Sequence, residues 1–340
     1  MVAAREMAWQ NRAIPGSSDF RGVLILGLLA AWFYFVWQLL SLPPFVVIRG
    51  GLPPLLRFAL AKGQYMPDFG MIIAGFAAFH FRRELRTEWD GRVARQVYLS
   101  AVVPLVGYLI VGVALLECVH LAGPSHALVM PWQDPLMAVQ VLILATAVVF
   151  AFLWPVLLYW MWTAALDVGI CGVVLALIYL GMNFTLGWHK HIYMWPVSAL
   201  FDLLLGVCLC TTVFRGVAYL ESVRGPMIIL GWLAMVVCSI LAGPALFFLG
   251  FLMVLVGSGL SERDWFLPGE NALLIWSRTA LAVVVVQPAV FSAWLIWGRE
   301  VTGTGWATFI VLALATQLVA TVVWLAIEMP ARRLAPAMPA

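Results

Sequence analysis

Five ionisable side chains interrupt long apolar stretches of this sequence, and they are the first places to look for chemistry. They are Asp68, His80, Glu117, Asp202 and Arg278. A charge at membrane depth costs at least about 2.5–3.5 kcal/mol, so each such group must be paired, hydrated or functional. If Asp68, Asp202 and Arg278 lined one path across the membrane, they would suit a transporter or flippase. Snorkelling to the interface or pairing with a carboxylate would also explain Arg278.

The densest charge in the sequence lies between residues 82 and 95. Within this segment, Arg92 and Arg95 stand three apart, which places them on one face of a helix. Guanidinium groups bind phosphates through paired hydrogen bonds, so this pair indicates a seat for an anionic cytosolic ligand such as coenzyme A. Topology alone also explains these charges, because basic residues are retained on the cytoplasmic side of a membrane.

Four histidines fall in two loops that are expected on the outer side: His120, His126, His189 and His191. The last two are two residues apart and would not face the same way on a helix, so their spacing does not predict a metal site. They are either solvated residues or a base beside an extracytoplasmic substrate. The five cysteines form no zinc spacing and no disulfide framework. We therefore predict no metal.

The composition indicates which elements carry these residues. The 340 residues are 64% hydrophobic and 10% charged, with a mean hydropathy of +1.01. So little polar surface cannot coat a water-soluble globule, which excludes a secreted, nuclear or cytosolic enzyme. The net charge of +3, from 19 basic and 16 acidic residues, leaves no excess for binding nucleic acid. We predict an all-α integral membrane protein.

Apolar segments predict about ten transmembrane helices, because about 20 residues cross the ~30 Å of hydrocarbon in a bilayer. The second segment is short and carries Asp68 and His80, so it could instead be a re-entrant or protein-buried helix. The predicted crossings are 22–48, 66–81, 97–119, 136–162, 166–185, 193–214, 226–242, 244–260, 272–297 and 304–328.

The distribution of basic residues orients the chain. With the N-terminus inside, thirteen arginines lie on the inner side, and Arg278 lies in the ninth crossing. Five basic residues lie on the outer side: Arg49, Arg57, Lys62, Lys190 and Arg299. Both termini are therefore predicted to be cytoplasmic. We expect a cytoplasmic segment over 1–21, a single transmembrane domain over 22–328 and a cytoplasmic tail over 329–340.

Several short motifs occur in order along the chain: Arg21-Gly22 at the first crossing, segment 68–76 with its Ala-Gly-Phe, the Arg92/Arg95 pair, Phe201 to Gly206, and the ending 327–334 with its Glu-Met-Pro-Ala-Arg. In these motifs and in its layout the chain resembles the membrane acyltransferase-3 family. That family moves acyl groups from cytosolic acyl-coenzyme A onto extracytoplasmic glycans, lipids or antibiotics. The resemblance implies an acyltransferase-3-like bundle with the acyl-coenzyme A donor beside Arg92 and Arg95.

Two histidines of that family are replaced in this chain. One would stand eleven residues after Arg21, where this sequence has Trp32, and the other belongs to a His-Xaa-Pro element that here reads Val286-Gln287-Pro288. An indole cannot accept a proton. Either another residue serves as the base, with Asp68, His80 and Glu117 as the candidate catalytic groups, or the fold is kept without the chemistry.

Three hypotheses follow for the function. The first is a membrane O-acyltransferase-like protein of a bacterial inner membrane, which uses acyl-coenzyme A and modifies an extracytoplasmic glycan or lipid. It would be in contact with membrane lipids and could be catalytically degenerate. The second is a noncatalytic scaffold subunit whose apolar exterior packs against partner membrane proteins. The third is the transporter or flippase.

Overall fold

Helices make up every regular element of the described chain. The computed structural model describes residues 21–81, 91–124, 196–241, 244–259 and 276–334. In chain order the α-helices are α1 Arg21–Ser41, α2 Val46–Gly51, α3 Pro54–Ala61, α4 Met66–Phe81, α5 Gly91–Ala122, α6 Pro196–Leu241, α7 Pro244–Gly259, α8 Ala280–Ala293, α9 Arg299–Thr302 and α10 Trp306–Leu334. Single 3-10 turns, Pro43–Phe45 and Lys62–Tyr65, flank α2 and α3, and a π turn, Trp294–Gly298, joins α8 to α9.

Four segments of the described chain are long and apolar enough to cross a membrane: Gly22–Ser41, Val103–Ala122, Ala280–Thr302 and Trp306–Glu328. The prediction of an all-helical chain with membrane-spanning segments is therefore confirmed. The predicted crossings 136–162 and 166–185 lie outside the described residues. The total of ten crossings, and the acyltransferase-like bundle, stay predictions.

The first helix is shorter than the sequence predicted. It ends at Ser41 instead of continuing to residue 48, and Leu42 adopts an extended backbone with φ −67° and ψ 139°. The cause is the pair Pro43-Pro44, because a proline disfavours helical geometry at the residue before it. The chain then turns through α2 and α3, and we call residues 42–65 the hook.

Two crossings joined by a loop were predicted over 193–214 and 226–242, but the described residues 196–241 form one continuous helix, α6. A straight helix would separate Asp202 and Gly231 by about 43 Å. Yet Asp202 lies beside Asp68, the neighbouring Phe69 stacks on Phe251, and the backbone of Gly250, the residue before Phe251, lies against Gly231. These contacts are too short to span that distance. Helix α6 therefore bends between Asp202 and Gly231, an interval that contains the helix-kinking Pro226.

Helix α1 lies between two groups of helices. One of its faces packs against α4 and α7, in a core that includes Leu26, Tyr34, Phe69 and Phe251 and that extends to α6. Its other face packs against α8, in a core that includes Ala31, Tyr108 and Val286 and that extends to α5 and α10. The hook adds a third core, in which Phe45 lies 5.0 Å from the ring of Trp294.

Candidate functional site

Two carboxyl groups meet between α4 and α6. Asp68 lies in the first turn of α4 and Asp202 in the second turn of α6, and their side chains lie close enough to interact. Asp202 is 1% exposed and Asp68 is partly buried. Two neighbouring carboxyl groups favour a state in which they share one proton, and such a pair would offer one proton donor and one proton acceptor.

Two glycines bring the backbones of α4 and α6 together beside this pair. A side chain on Gly75 would collide with the carbonyl group of Leu203, and one on Gly206 would collide with the carbonyl oxygen of Ile72. Ile72 follows Asp68 by one helical turn, and Gly206 follows Asp202 by one turn. The backbone contacts therefore lie within about two turns of the carboxyl residues on both helices.

Phe69, the residue after Asp68 on α4, belongs to an aromatic cluster. Its ring stacks on that of Phe251, with centroids 3.9 Å apart and planes at 5°, and it also contacts Phe247 at 5.7 Å. All three rings are buried, so this cluster fixes α4 against α7 next to the carboxyl pair in the sequence.

The three predicted catalytic candidates do not come together. His80 lies in the last turn of α4, about 18 Å along the helix axis from Asp68. Glu117 lies on α5, which packs against α8 and α10. Asp68 lies beside a second titratable group, Asp202, which was predicted for a transport path rather than for catalysis.

The predicted binding site for the acyl-coenzyme A donor lies at the start of α5. Arg92 and Arg95 both fall in the first turns of this helix, which begins at Gly91, so the helix expected under them is present. Their side chains lie outside the described residues. The seat for acyl-coenzyme A stays a prediction.

The two positions where the family has histidines belong to one apolar cluster. Val286 on α8 is fully buried, and Trp32 on α1 packs against the same cluster. The indole also meets the ring of Phe35 edge-on, with centroids 5.0 Å apart. In this chain both positions are part of a packed apolar cluster.

A buried amide pair lies next to this cluster, and the sequence analysis did not single it out. The Nε2 group of Gln287 donates to Oε1 of Gln38, and Nε2 of Gln38 donates to the hydroxyl of Tyr34 at 3.4 Å. Gln287 has no exposed surface, and within the described chain its Oε1 has no hydrogen-bond partner. The signal in the sequence was a glutamine in each of two otherwise apolar helices.

Arg278 does not join the carboxyl pair. It lies in a turn just before α8 and its side chain is exposed, whereas the sequence placed it inside the ninth crossing. Among the described residues, no three His, Cys, Asp or Glu side chains lie close enough to hold a metal ion. The carboxyl pair is thus the part of the described chain with a defined capacity for proton transfer.

Comparison with known proteins identifies no relative: no protein-family model matches the sequence, and neither a curated protein nor a solved structure is similar to it.

Proposed function

We propose that this chain is a membrane acyltransferase-like protein. It takes an acyl group from acyl-coenzyme A on the cytoplasmic side, beside Arg92 and Arg95, and passes it to a hydroxyl group of an extracytoplasmic glycan or lipid. The observation that supports this best is the Asp68–Asp202 pair. It supplies a proton acceptor at the contact between segments 68–76 and 201–206, and both segments contribute to the family resemblance.

The carboxyl pair would replace the missing imidazole. Its ionised carboxylate takes the proton of the acceptor hydroxyl while the acceptor oxygen attacks the carbonyl carbon of the thioester. The carbon–sulfur bond breaks, and the proton passes to the departing coenzyme A thiolate. An ester and a free thiol are the products. The second carboxyl group, which keeps its proton, orients the first and limits the charge of the pair to one.

Acyl transfer can be measured with purified full-length protein in lipid nanodiscs, radiolabelled acetyl-coenzyme A and a periplasmic-type glycan. Asp68→Asn and Asp202→Asn keep the size of the side chains but remove the carboxylate, so each should lower the transfer rate by roughly 10²–10⁴-fold. Glu300→Gln is the matched control, because Glu300 is an exposed carboxylate on α9. No labelled glycan with the unchanged protein, or full rates with both variants, would refute the proposal.

Donor binding forms a separate arm of this experiment. Coenzyme A should raise the melting temperature of the unchanged protein, and Arg92→Ala combined with Arg95→Ala should abolish that shift, because two guanidinium groups are lost. An unchanged shift would remove both arginines from the donor seat. Since this arm needs no turnover, it also applies to a catalytically degenerate protein.

A noncatalytic scaffold is the second candidate, and the apolar cluster of Trp32 and Val286 favours it. A protein that keeps this fold without catalysing a reaction can have apolar side chains at the two positions where the family has histidines. In that case the protein should be purified from its native membrane in mild detergent as part of a larger assembly. A mass corresponding to a single chain would argue against this role.

A further inference from the structure

A small open cleft lies in the hook between α1 and α4. Its wall includes the indole of Trp37 and the hydroxyl-bearing Ser41 from the end of α1, and Leu52 from the hook. Two guanidinium groups complete it, those of Arg49 on α2 and Arg57 on α3. The cleft therefore combines an apolar floor with two positive charges.

The part of the chain that the structure describes gives the two arginines no counter-charge. Both line the same cleft, and no carboxylate of the described chain lies within ion-pair distance of either one. Two like charges on one small cleft repel each other, and an anion between them would relieve that repulsion. Arginine also suits this role better than the neighbouring Lys62, because burial lowers the pKa of the lysine ammonium whereas a guanidinium stays charged.

The surroundings of the cleft are typical of a membrane interface. The membrane-spanning segment of α1 ends at Ser41, so the hook begins where the hydrocarbon ends. Large apolar side chains project outward from α2 and α3: Val47 is 83% exposed and Phe58 is 57% exposed. Short helices that combine exposed apolar residues with arginines lie at the boundary between lipid head groups and acyl chains.

We propose that the hook binds the phosphate of an anionic phospholipid head group between Arg49 and Arg57. The exposed apolar residues contact the acyl chains, the guanidinium groups form paired hydrogen bonds with the phosphate oxygens, and Trp37 forms the floor. This site is independent of the carboxyl pair between α4 and α6. It remains whether or not the protein transfers acyl groups.

Lipid binding can be measured on the detergent-purified full-length protein by titration with phosphatidylglycerol, with its melting temperature as the readout. Phosphatidylcholine and inorganic phosphate are titrated in parallel. Each basic residue near an anionic lipid surface contributes about 1 kcal/mol, so Arg49→Gln or Arg57→Gln should weaken phosphatidylglycerol binding about five-fold, and the double variant about 25-fold. Arg299→Gln, a change of one exposed arginine on α9, should leave binding unchanged.

Each alternative outcome overturns the assignment. Equal binding of phosphatidylcholine would show that the head-group charge is not recognised. An equal effect of inorganic phosphate, lost in the same variants, would assign the cleft to a free anion. Full binding by the double variant would remove both arginines. If a glutamine variant fails to fold, Arg49→Lys and Arg57→Lys keep the charge, and their binding should fall between that of the unchanged protein and that expected after loss of the guanidinium.

Discussion

At the scale of single residues, Trp32 illustrates how one substitution changes the character of a site. The family resemblance leads us to expect a proton acceptor at this position, and the structure has an indole that packs edge-on against Phe35 and joins the cluster of Val286. A partly buried tryptophan contributes stability through its large apolar area. On α8 the residue after Val286 is Gln287, whose Nε2 group donates to Oε1 of Gln38.

The Gln38–Gln287 pair should stabilise the contact between α1 and α8. Gln287→Leu removes the donor to Gln38 and leaves a buried amide without its partner, so we expect a loss of about 0.6–2 kcal/mol in the free energy of unfolding. Gln38→Leu should have a similar effect. With both replaced, the loss should be smaller than the sum, because no polar group is stranded. Denaturation in mild detergent measures all four proteins, and a strictly additive double variant would contradict the coupling.

At the scale of helices, the contact between α4 and α6 depends on missing side chains. Gly75 and Gly206 each face the backbone of the other helix, which lets the two axes approach closely enough for Asp68 to reach Asp202. Small residues commonly allow such approaches between helices in membranes. The sequence motif around Gly75 thus has a packing role next to the carboxyl pair.

Gly75→Ala and Gly206→Ala should push these helices apart. Each added methyl group meets backbone atoms that cannot move as a side chain can, so we expect a destabilisation of about 1–3 kcal/mol. Thermal unfolding in detergent measures this effect. Gly70→Ala on the same helix is the matched control, because a Cβ there meets nothing within 4 Å. Equal stability of all three variants would show that the close approach does not determine the contact.

At the scale of the whole molecule, α1 is the element that both groups of helices share. Its faces carry different residues, with Leu26 and Tyr34 directed to the first group and Ala31 to the second. A change in the position of α1 would therefore affect the carboxyl pair and the Trp32 cluster together.

The topology can be tested through cysteine labelling in intact cells, with a cysteine-free version of the chain as background. Val47→Cys should react with a membrane-impermeant maleimide from outside, because Val47 is 83% exposed in a hook predicted to be extracytoplasmic. Ser222→Cys, also at an exposed position, should react only after the membrane is opened. The reverse pattern would invert the predicted orientation.

Parts of this architecture could be predicted from the sequence because they depend on local properties. The apolar runs determine helices, and α4 has the predicted bounds of 66–81. The prolines at 43 and 44 explain why α1 ends at Ser41, although the hydrophobic run continues to residue 48. The predicted loop between the sixth and seventh crossings was wrong. Arg215 and Arg224 make this segment polar, but arginine does not break a helix, and the helix continues through it.

The amino-acid sequence by itself determined that the chain is helical and membrane-embedded, because composition and hydrophobic length act on each segment alone. It also indicated that Asp68 and Asp202 need partners. Only the tertiary structure decided that each is the partner of the other, across 133 intervening positions. Which helices become neighbours depends on the shapes of two surfaces at once, and no single segment contains that information. The close approach of α4 and α6, for example, requires a glycine on each helix.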